Sequence, residues 1–531
     1  MGHWVFWEML KSRHKRYVKI TLSGEVVEEP LPFPFLSSHR QLGLPLLLEI
    51  IDAARRHKAV DAMLLVIKNV SIGWGQIQEL HHELERFHEA GKRSLAYLEV
   101  ADNRSYYLAS GTQRLYIPPS ATLDLVGLRA EMFFLKNLLG YLGVEPQFFS
   151  LGEYKSAAET FTRENMSEAH RSMMDSILTD LQRQLLEKVA LRRGVSQDQV
   201  QEWIDQGPFT ARRAADLGLV DGLCYEDQVE GILKESKPAL KLLPNSRLKL
   251  REGFFKKLIT FRRPQIAYLV AEGILASGAA RHGVGRRPLL DSETLIESLR
   301  TARKRKRVKA VVLRVNTPGG SALASDLIWR ELRLTDEEKP VIVSFGDLAA
   351  SGGYYIATAG RQILGMPGTL TGSIGVIQGK FNFRRLLDKL GITVDWLDKG
   401  ERAGYSSPTR PFSEQEGRLI QEQLREFYEE LFLKKVADSR QRPVEEIREL
   451  AEGRVWTGAQ ALGNGLLDRQ GGLVQALEAA QQAAGLPKEK KVRVVRYARR
   501  RSLRDLFQSP WQAAFPGNHM LALLVDQFEI R

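Results

Sequence analysis

Cysteine is almost absent from this chain of 531 residues, because Cys224 is the only one. An intramolecular disulfide framework and a cysteine-ligated metal cluster are therefore excluded. Long apolar runs are also lacking: no segment reaches the roughly 20 nearly uncharged residues that a membrane-spanning helix needs. Histidine is scarce in the later half, which holds only His282 and His519, so a serine nucleophile there would have few candidates for its usual base.

Positive charge is in excess, with 77 Lys and Arg against 64 Asp and Glu and a formal net charge of +13. Such an excess favours an anionic partner. Zinc-ligand spacings and aromatic RNA-binding motifs do not accompany it, so we predict no nucleic-acid partner. Basic residues next to aromatic ones at 1–16 and 247–263, and a basic cluster at 303–307, instead favour peripheral contact with an acidic membrane surface. A solvated basic face is the alternative.

The order of residues in 1–16 does not fit a secretory signal, because the charges follow the apolar residues. We therefore expect a cytoplasmic or peripherally membrane-associated protein.

Two halves of the chain repeat each other at a constant offset of 247 or 248 residues. The matching pairs are Val60–Asn69 with Val308–Thr317, Tyr106–Ala109 with Tyr354–Ala357, and Phe209–Asp221 with Trp456–Asp468. A constant offset over this span predicts a duplicated domain. The predicted organisation is an aromatic and basic N-terminal segment (1–16), a first repeat (17–240), a basic linker (241–263), a second repeat (264–490) and a C-terminal tail (491–531).

Short apolar strands alternate with helices in the second repeat. We predict strands at 309–315 and 340–345, a glycine turn at 316–320, and helices at 322–334 and from about 351. This alternation indicates an α/β fold with a mainly parallel sheet. The charged stretches 167–193 and 413–450 add helices, and a long polar helix at 414–437 is typical of an oligomer contact or of a solvated surface.

The two repeats differ where chemistry would be expected. Ser351 follows a strand and precedes two glycines that open a helix, whereas the first repeat has Asn103 at this place. A helix N-terminus directs N–H groups and a partial positive charge at a developing oxyanion, and the turn at 316–320 can add further N–H groups. A lone Ser-Gly-Gly is more often an ordinary helix cap.

Lys155 belongs to the first repeat, and the second repeat offers only Arg402 or Ala403 there. Small uncharged residues follow Lys155, so its amine could be desolvated. To act as a base near neutral pH its pKa must fall from about 10.4 to about 7 or 8, which costs roughly 4 kcal/mol. Serine–lysine dyads are a known variant of the catalytic triad. The split suggests that each repeat kept one part of a shared site.

Four segments resemble signatures of the signal peptide peptidase SppA family, also called protease IV, in its long duplicated form. They are Gly346–Ala357, Leu370–Val376, Gly152–Ala157 and Arg454–Gly458. The resemblance covers the chain from about Tyr17 to Leu477. It implies tandem domains of the ClpP and crotonase fold, assembled as a homo-oligomeric ring that we expect to be a tetramer. Long-form relatives typically begin with a transmembrane anchor, and no such anchor is recognised in this sequence.

The resemblance also implies roles for individual residues. Ser351 matches the nucleophile, Lys155 the general base, and Ser373 a second serine that holds the lysine; Leu125 replaces Ser373 in the first repeat. Gly320 and Gly352 match the oxyanion donors. No metal and no cofactor are implied.

The implied activity is that of a serine endopeptidase that hydrolyses released signal peptides and other small or extended hydrophobic peptides. Two alternatives remain open at this point. One is a catalytically inactive, membrane-associated scaffold of the same fold. The other is a crotonase-like enzyme that acts on an acyl-CoA thioester.

Overall fold

The computed structural model describes residues 15–30, 41–235, 239–248, 263–277 and 289–497. Strands of the first half are β1 (Arg16–Val27), β2 (Gln41–Gly43), β3 (Val60–Ser71), β4 (Arg93–Leu98), β5 (Ala101–Asp102), β6 (Arg114–Ile117), β7 (Thr122–Asp124), β8 (Glu145–Leu151), β9 (Phe209–Thr210), β10 (Gly222–Leu223) and β11 (Lys241–Leu242). Strands of the second half are β12 (Gln265–Glu272), β13 (Ile274–Ala276), β14 (Leu289–Asp291), β15 (Val308–Thr317), β16 (Val341–Ala350), β17 (Gln362–Gly365), β18 (Leu370–Gly372), β19 (Val376–Asn382), β20 (Val455–Thr457), β21 (Arg469–Gln470) and β22 (Arg493–Arg496).

Helices alternate with these strands. In the first half the α-helices are Leu44–Arg56, Trp74–Glu89, Asn103–Ser110, Lys136–Leu142, Glu159–Thr162, Glu168–Arg193, Gln197–Gln206, Ala211–Asp216 and Glu226–Glu235. In the second half they are Ser292–Lys304, Ala322–Glu338, Gly352–Ala357, Arg384–Lys389, Glu414–Glu426, Lys434–Arg440, Val444–Leu450, Gly458–Gly463 and Leu473–Ala483, with a π-helix at Phe427–Leu433. Short 3-10 turns occur at Ser156–Ala158 and Asn245–Arg247.

Each half is built on its own sheet. The first sheet has the order β10-β6-β4-β3-β1-β11, and the second has the order β20-β18-β16-β15-β12-β22. All pairs in these two sheets are parallel except β18 with β20. The central strands β3 and β15 are nearly continuous apolar runs, because a parallel sheet is covered on both faces. The predicted α/β class with a mainly parallel sheet is confirmed.

One predicted helix is interrupted. The polar stretch 414–437 begins as an α-helix, becomes a π-helix at Phe427–Leu433 and continues to Arg440. Gln441 then takes a left-handed conformation with φ of 54°, and Pro443 precedes the next helix. The left-handed residue and the proline explain why the stretch 413–450 is not one helix.

Two strands lie outside the repeat boundaries predicted from the sequence. β11 falls in the predicted linker but pairs with β1, and β22 falls in the predicted tail but pairs with β12. Both are edge strands of two to four residues with basic side chains, so neither carries the apolar run that marks a buried strand.

The two halves share their largest hydrophobic core. It contains first-half residues such as Ile77 and Leu181 together with second-half residues such as Ile342 and Leu473. Arg314 of β15 is fully buried and bonds two first-half carboxylates, Glu28 at 2.7 Å and Glu79. The repeats are therefore joined by apolar packing and by a buried ionic cluster.

Within the described ranges, no helix is both long enough and apolar enough to cross a bilayer.

Candidate active site

Ser351 lies at a sharp turn between β16 and the helix Gly352–Ala357. Its backbone has φ of 54° and ψ of −117°, a region that non-glycine residues rarely occupy. The turn is fixed because the Ser351 N–H donates to the Gly372 carbonyl at 2.8 Å, and the Ser351 carbonyl accepts from the Tyr355 N–H at 2.9 Å. A strained strand-to-helix turn of this kind presents a hydroxyl at the end of a sheet.

Lys155 reaches the second half because the strand that precedes it, β8, belongs to a sheet shared by both repeats. β8 of the first repeat pairs antiparallel with β19 of the second, and Leu151 lies opposite Val376. The chain after Leu151 therefore runs past the residues just before Val376, which include Ser373. This pairing delivers a first-repeat lysine to second-repeat serines.

The Lys155 amine contacts both serines. Its Nζ lies 3.1 Å from the Ser351 Oγ, 2.9 Å from the Ser373 Oγ and 2.9 Å from the Ser373 carbonyl oxygen. A neutral amine has two N–H donors and one lone pair. The two Ser373 oxygens can accept hydrogen bonds from the two N–H groups. The lone pair is then free to accept the proton of the Ser351 hydroxyl.

The Lys155 amine is shielded from solvent. Lys155 is 9% exposed, and its burial lowers the pKa to about 7. Near neutral pH a large fraction of the amine is then unprotonated, which is the form that can accept a proton.

Two glycines chosen from the sequence lie at this turn. The N–H groups of Gly320 and Gly352 have no hydrogen-bond acceptor in the part of the chain that the structure describes. The Gly319–Gly320 turn packs directly on the serine: a Cβ on Gly319 would lie 2.7 Å from the Gly352 N and 2.9 Å from the Ser351 Cβ. These unpaired N–H groups are available to a substrate oxygen.

The first repeat lacks this arrangement. Asn103 stands at the place of Ser351, and its side chain bonds the backbone of its own repeat, at Val126 and Gly127. Leu125 is buried at the place of Ser373. The structure therefore brings together one serine–lysine–serine set per chain, in the described residues.

Sequence reasoning missed the segment 452–454, which contacts the loop that carries Lys155 (residues 152–155, the lysine loop). The Tyr154 N–H donates to the Glu452 carbonyl at 2.8 Å, and the Ser373 N–H donates to the Arg454 carbonyl at 2.7 Å. The signature segment Arg454–Gly458 contained part of this signal, but its spacing does not reveal that the preceding residues touch Lys155. The histidines weighed against Lys155, His282 and His519, lie outside the described residues.

A family model described as Peptidase family S49 matches residues 86–239 and 333–487, once in each repeat. The chain belongs to peptidase family S49. It is 34% identical to the chloroplastic serine protease SPPA of Arabidopsis thaliana over 96% of this chain and 76% of that protein. It is also 34% identical to Protease 4 of Salmonella typhi, over 83% of this chain and 72% of that protein. Protease 4 of Haemophilus influenzae is 31% identical over 75% of this chain and 66% of its own length.

Among solved structures, ClpP1 N165D of Listeria monocytogenes matches 42% of this chain and 99% of its own at 12% identity, with a TM-score of 0.26. That score is too low to support an argument. The family membership confirms the resemblance inferred from the sequence, and this S49 family member is a serine peptidase.

Proposed function

We propose that Ser351 and Lys155 are the catalytic dyad of this serine peptidase, with Ser373 orienting the lysine. The observation that carries the proposal is the 3.1 Å contact between Lys155 Nζ and Ser351 Oγ in a buried setting. Within the described residues Lys155 is the basic side chain that is hydrogen-bonded to Ser351, and burial lowers the pKa of its amine to about 7. Ser-Lys dyads use this pairing for acyl transfer.

The proposed reaction has two stages. Ser351 Oγ attacks the scissile carbonyl carbon while its proton moves to Lys155 Nζ, and the Gly320 and Gly352 N–H groups bind the oxyanion. The C–N bond then breaks, and Lys155 returns the proton to the leaving amine. Water next attacks the acyl-enzyme, gives a proton to Lys155 and releases the carboxylic acid with a restored Ser351 hydroxyl.

The substrates we propose are released signal peptides and other small or extended hydrophobic peptides. This part of the proposal rests on the resemblance to the SppA family. It predicts faster cleavage of a synthetic signal peptide than of a charged peptide of the same length.

The test of the dyad uses a fluorophosphonate probe and a fluorogenic hydrophobic peptide. Wild type should be labelled and should turn over the peptide, Ser351→Ala should do neither, and Lys155→Ala should lose at least about 10³-fold in kcat. Lys380→Ala is the matched control, because Lys380 is half-buried and, like Lys155, has a pKa lowered by burial, but its amine donates hydrogen bonds to the Tyr405 and Ser407 carbonyls. Turnover by Ser351→Ala or Lys155→Ala would overturn the dyad.

The same experiment addresses the two alternative functions. A scaffold would leave wild type unlabelled. An acyl-CoA enzyme would be stabilised by acyl-CoA in a thermal-shift titration, whereas the peptidase should not be.

We further propose that copies of the chain associate head to tail in a ring, as expected from the SppA resemblance. The support comes from the duplication. Shifting the β8–β19 pair by 248 residues gives segments 393–399 and 128–134, and neither forms a strand in the chain. Both expose apolar residues: Phe133 is 66% exposed, Trp396 58% and Leu397 96%. Two segments that form no strand and that correspond to an internal interface fit a heterologous contact between neighbouring copies.

The register of β8 with β19 specifies which residues of neighbouring copies should face each other in the ring. Phe148 lies opposite Gly379, so the shifted pairing places Trp396 of one copy opposite Glu131 of the next. In a Cys224→Ser background, Glu131→Cys with Trp396→Cys should form an intermolecular disulfide, because paired residues across antiparallel strands have suitable Cα spacing. Glu131→Cys with Asp395→Cys is the control for register. A protein that is monomeric by light scattering and does not cross-link overturns the proposal.

A peripheral membrane contact also stays a prediction. Residues 1–16 and most of the basic linker lie outside the described ranges, while Arg303 of the basic cluster is paired with Glu331 and Glu338. Binding to vesicles that contain acidic lipid, compared with neutral vesicles, tests it.

A further inference from the structure

The loop that carries Lys155 is held by one short segment of the second repeat, residues 452–454. A Cβ on Gly152 would lie 2.5 Å from the Glu452 carbonyl carbon, and a Cβ on Gly453 would lie 2.6 Å from the Lys155 N. The backbones of the two segments therefore touch. Since residue 454 also bonds Ser373, one segment sets the positions of both the amine and the oxygens that hold it.

Glu452 makes the polar contacts of this junction. Its carbonyl accepts from the Tyr154 N–H at 2.8 Å, and its Oε2 accepts from the Glu153 N–H at 3.3 Å. Its own backbone has φ of 47°, which an L-residue holds only when its surroundings enforce it. Something must therefore fix the conformation of Glu452.

Tyr428 is the side chain that does so. Its hydroxyl donates to Glu452 Oε1 at 3.1 Å and accepts from the Glu452 N–H at 3.3 Å, and the ring is buried. The hydroxyl bonds one residue at both its side chain and its backbone. The left-handed conformation of Glu452 is thus tied to a side chain of the core.

The helix that carries Tyr428 has an extra residue in this repeat. The first and second repeats are offset by 246 residues at the helix caps Ser167 and Ser413, but by 247 at Phe209 and Trp456. The π-helix Phe427–Leu433 lies between these points, and a π-turn is how a helix accommodates one inserted residue.

The first repeat does not have this pair. Counted back from Phe209, it has Leu181 and Asp205 where the second repeat has Tyr428 and Glu452. The first repeat also lacks counterparts of Ser351 and Ser373, and the second repeat offers only Arg402 or Ala403 in place of the lysine. The extra helix residue and the Tyr–Glu pair therefore occur in the repeat that receives Lys155.

We propose that Tyr428 and Glu452 are positioning residues that hold the Lys155 loop against the Ser351 turn and keep its amine dry. The inference rests on the proposed role of Lys155 as the general base. Neither residue touches the Lys155 amine or the Ser351 hydroxyl, so both act through the loop backbone.

The test compares Tyr428→Phe and Glu452→Gln with wild type in hydrolysis of the fluorogenic peptide across pH 5.5 to 9. Tyr428→Phe keeps the ring and removes only the hydroxyl, and Glu452→Gln keeps the shape and one acceptor oxygen. A loosened loop admits water to the amine, which raises its pKa. Both variants should lose about 10-fold or more in kcat with KM nearly unchanged, and the acid limb of kcat/KM should move to higher pH.

Tyr106→Phe is the matched control. Tyr106 is a buried tyrosine of the first repeat whose hydroxyl donates to the Leu219 carbonyl at 2.7 Å. Its replacement removes a buried hydroxyl far along the chain from the lysine loop. It should lower thermal stability without moving the acid limb.

A double variant adds a second readout. Because both residues act through one contact, Tyr428→Phe combined with Glu452→Gln should lose little more than Glu452→Gln alone.

The outcomes separate this inference from the proposed function. If both single variants keep the wild-type kcat and an unmoved acid limb while Lys155→Ala is inactive, the positioning role of Tyr428 and Glu452 is overturned and the dyad stands. Turnover by Lys155→Ala overturns the dyad instead. If Tyr428→Phe does not fold, Glu452→Gln decides by the same two measurements.

Discussion

Lys155 is a lysine placed where a charged amine is poorly solvated. Its neighbours supply three oxygens, at Ser351 and Ser373, but no carboxylate oxygen is among its hydrogen-bond acceptors in the described residues. Burial without an opposing charge favours the neutral amine. The residue is thereby suited to accept a proton near neutral pH.

The first prediction concerns pH. Because only the neutral amine can take the Ser351 proton, kcat/KM should rise about tenfold per pH unit below pH 7 and level off above it. The measurement is a pH profile with the fluorogenic peptide at concentrations below KM. A profile that is flat from pH 5.5 to 9 would contradict Lys155 as the base.

The second prediction concerns Ser373. Ser373→Ala removes one of the two oxygens that orient the amine, a hydrogen bond of about 1.5–3 kcal/mol when the amine is charged. We expect kcat to fall about 10- to 100-fold with little change in KM, measured by steady-state kinetics.

Ser373→Gly is the matched control for backbone strain, because Ser373 has φ of 50° and glycine tolerates this conformation. If glycine restored full activity, the hydroxyl would have no role and strain would explain the alanine result.

At the scale of single residues, the sequence was informative where a residue type has few alternatives. The scarcity of histidine and the difference between the repeats led to Ser351 and Lys155. Tyr428 and Glu452 gave no such signal. A tyrosine in a polar helix and a glutamate before a glycine are ordinary in isolation, and their meaning comes only from a contact across 24 residues.

Among the structural elements, the loop at 452–454 determines how closely the two repeats approach at the site. Gly453 has φ of 76°, and any side chain there would meet the backbone of Lys155. A glycine is therefore required for both its conformation and its space.

The third prediction uses this glycine. Gly453→Ala should displace the lysine loop and lower kcat at least about 100-fold, since a shift of about 1 Å in a catalytic group has effects of this size. Gly485→Ala is the matched control: Gly485 has φ of 66° but open space around it. Both variants should lose about 1–2 kcal/mol of stability from backbone strain, and Gly453→Ala should lose more because of its contact with the Lys155 backbone, as measured by denaturant unfolding. Equal activity in both would show that the contact with Lys155 is unimportant.

Element boundaries were predictable where the apolar pattern is strong. The strand 309–315 and the helix 322–334 were found in nearly their observed places, as β15 and Ala322–Glu338. The sheet formed by β8 and β19 was not predicted. Its strands are half-buried and come from different repeats, so no local alternation indicates their pairing.

For the whole molecule, the joint between the repeats is unusual in its charge. Arg314 is buried beside Glu28 and Glu79, and Glu272 and Asp347 lie in the same cluster. Burial is the main cause that raises the pKa of Glu272 to about 8, of Glu79 to about 7 and of Asp347 to about 6. Part of the cluster is then protonated at neutral pH.

The fourth prediction follows from these pKa values. A carboxyl whose folded pKa is raised holds its proton more tightly when folded than when unfolded. Its contribution to stability is therefore lost as pH rises from about 4.5 to about 8. Glu272→Gln should weaken this dependence, so that the variant gains stability relative to wild type as pH rises from about 4.5 to about 8 and the gain levels off above that pH. Thermal unfolding at several pH values measures the difference in stability between variant and wild type. Glu414→Gln, on the exposed polar helix, is the control. An unchanged difference between variant and wild type at all pH values would contradict it.

The duplication itself was evident from the sequence, and the sharing of one site between the two repeats was predicted from it. The shared core was not, because apolar content predicts how much core a chain can fill but not that one core crosses the repeat boundary. Arg314 likewise appears in the sequence as one basic residue within an apolar strand, and its first-half partners lie 235 and 286 residues away.

The pairing of β8 with β19 has a consequence for the newly synthesised chain. The amine and the hydroxyl are separated by 196 residues of chain, and they meet only after the second repeat has been made through β19 and has docked on β8. A nascent polypeptide at the ribosome carries the lysine without its serine. With the proposed dyad, peptidase activity therefore arises only late in the biosynthesis of each chain.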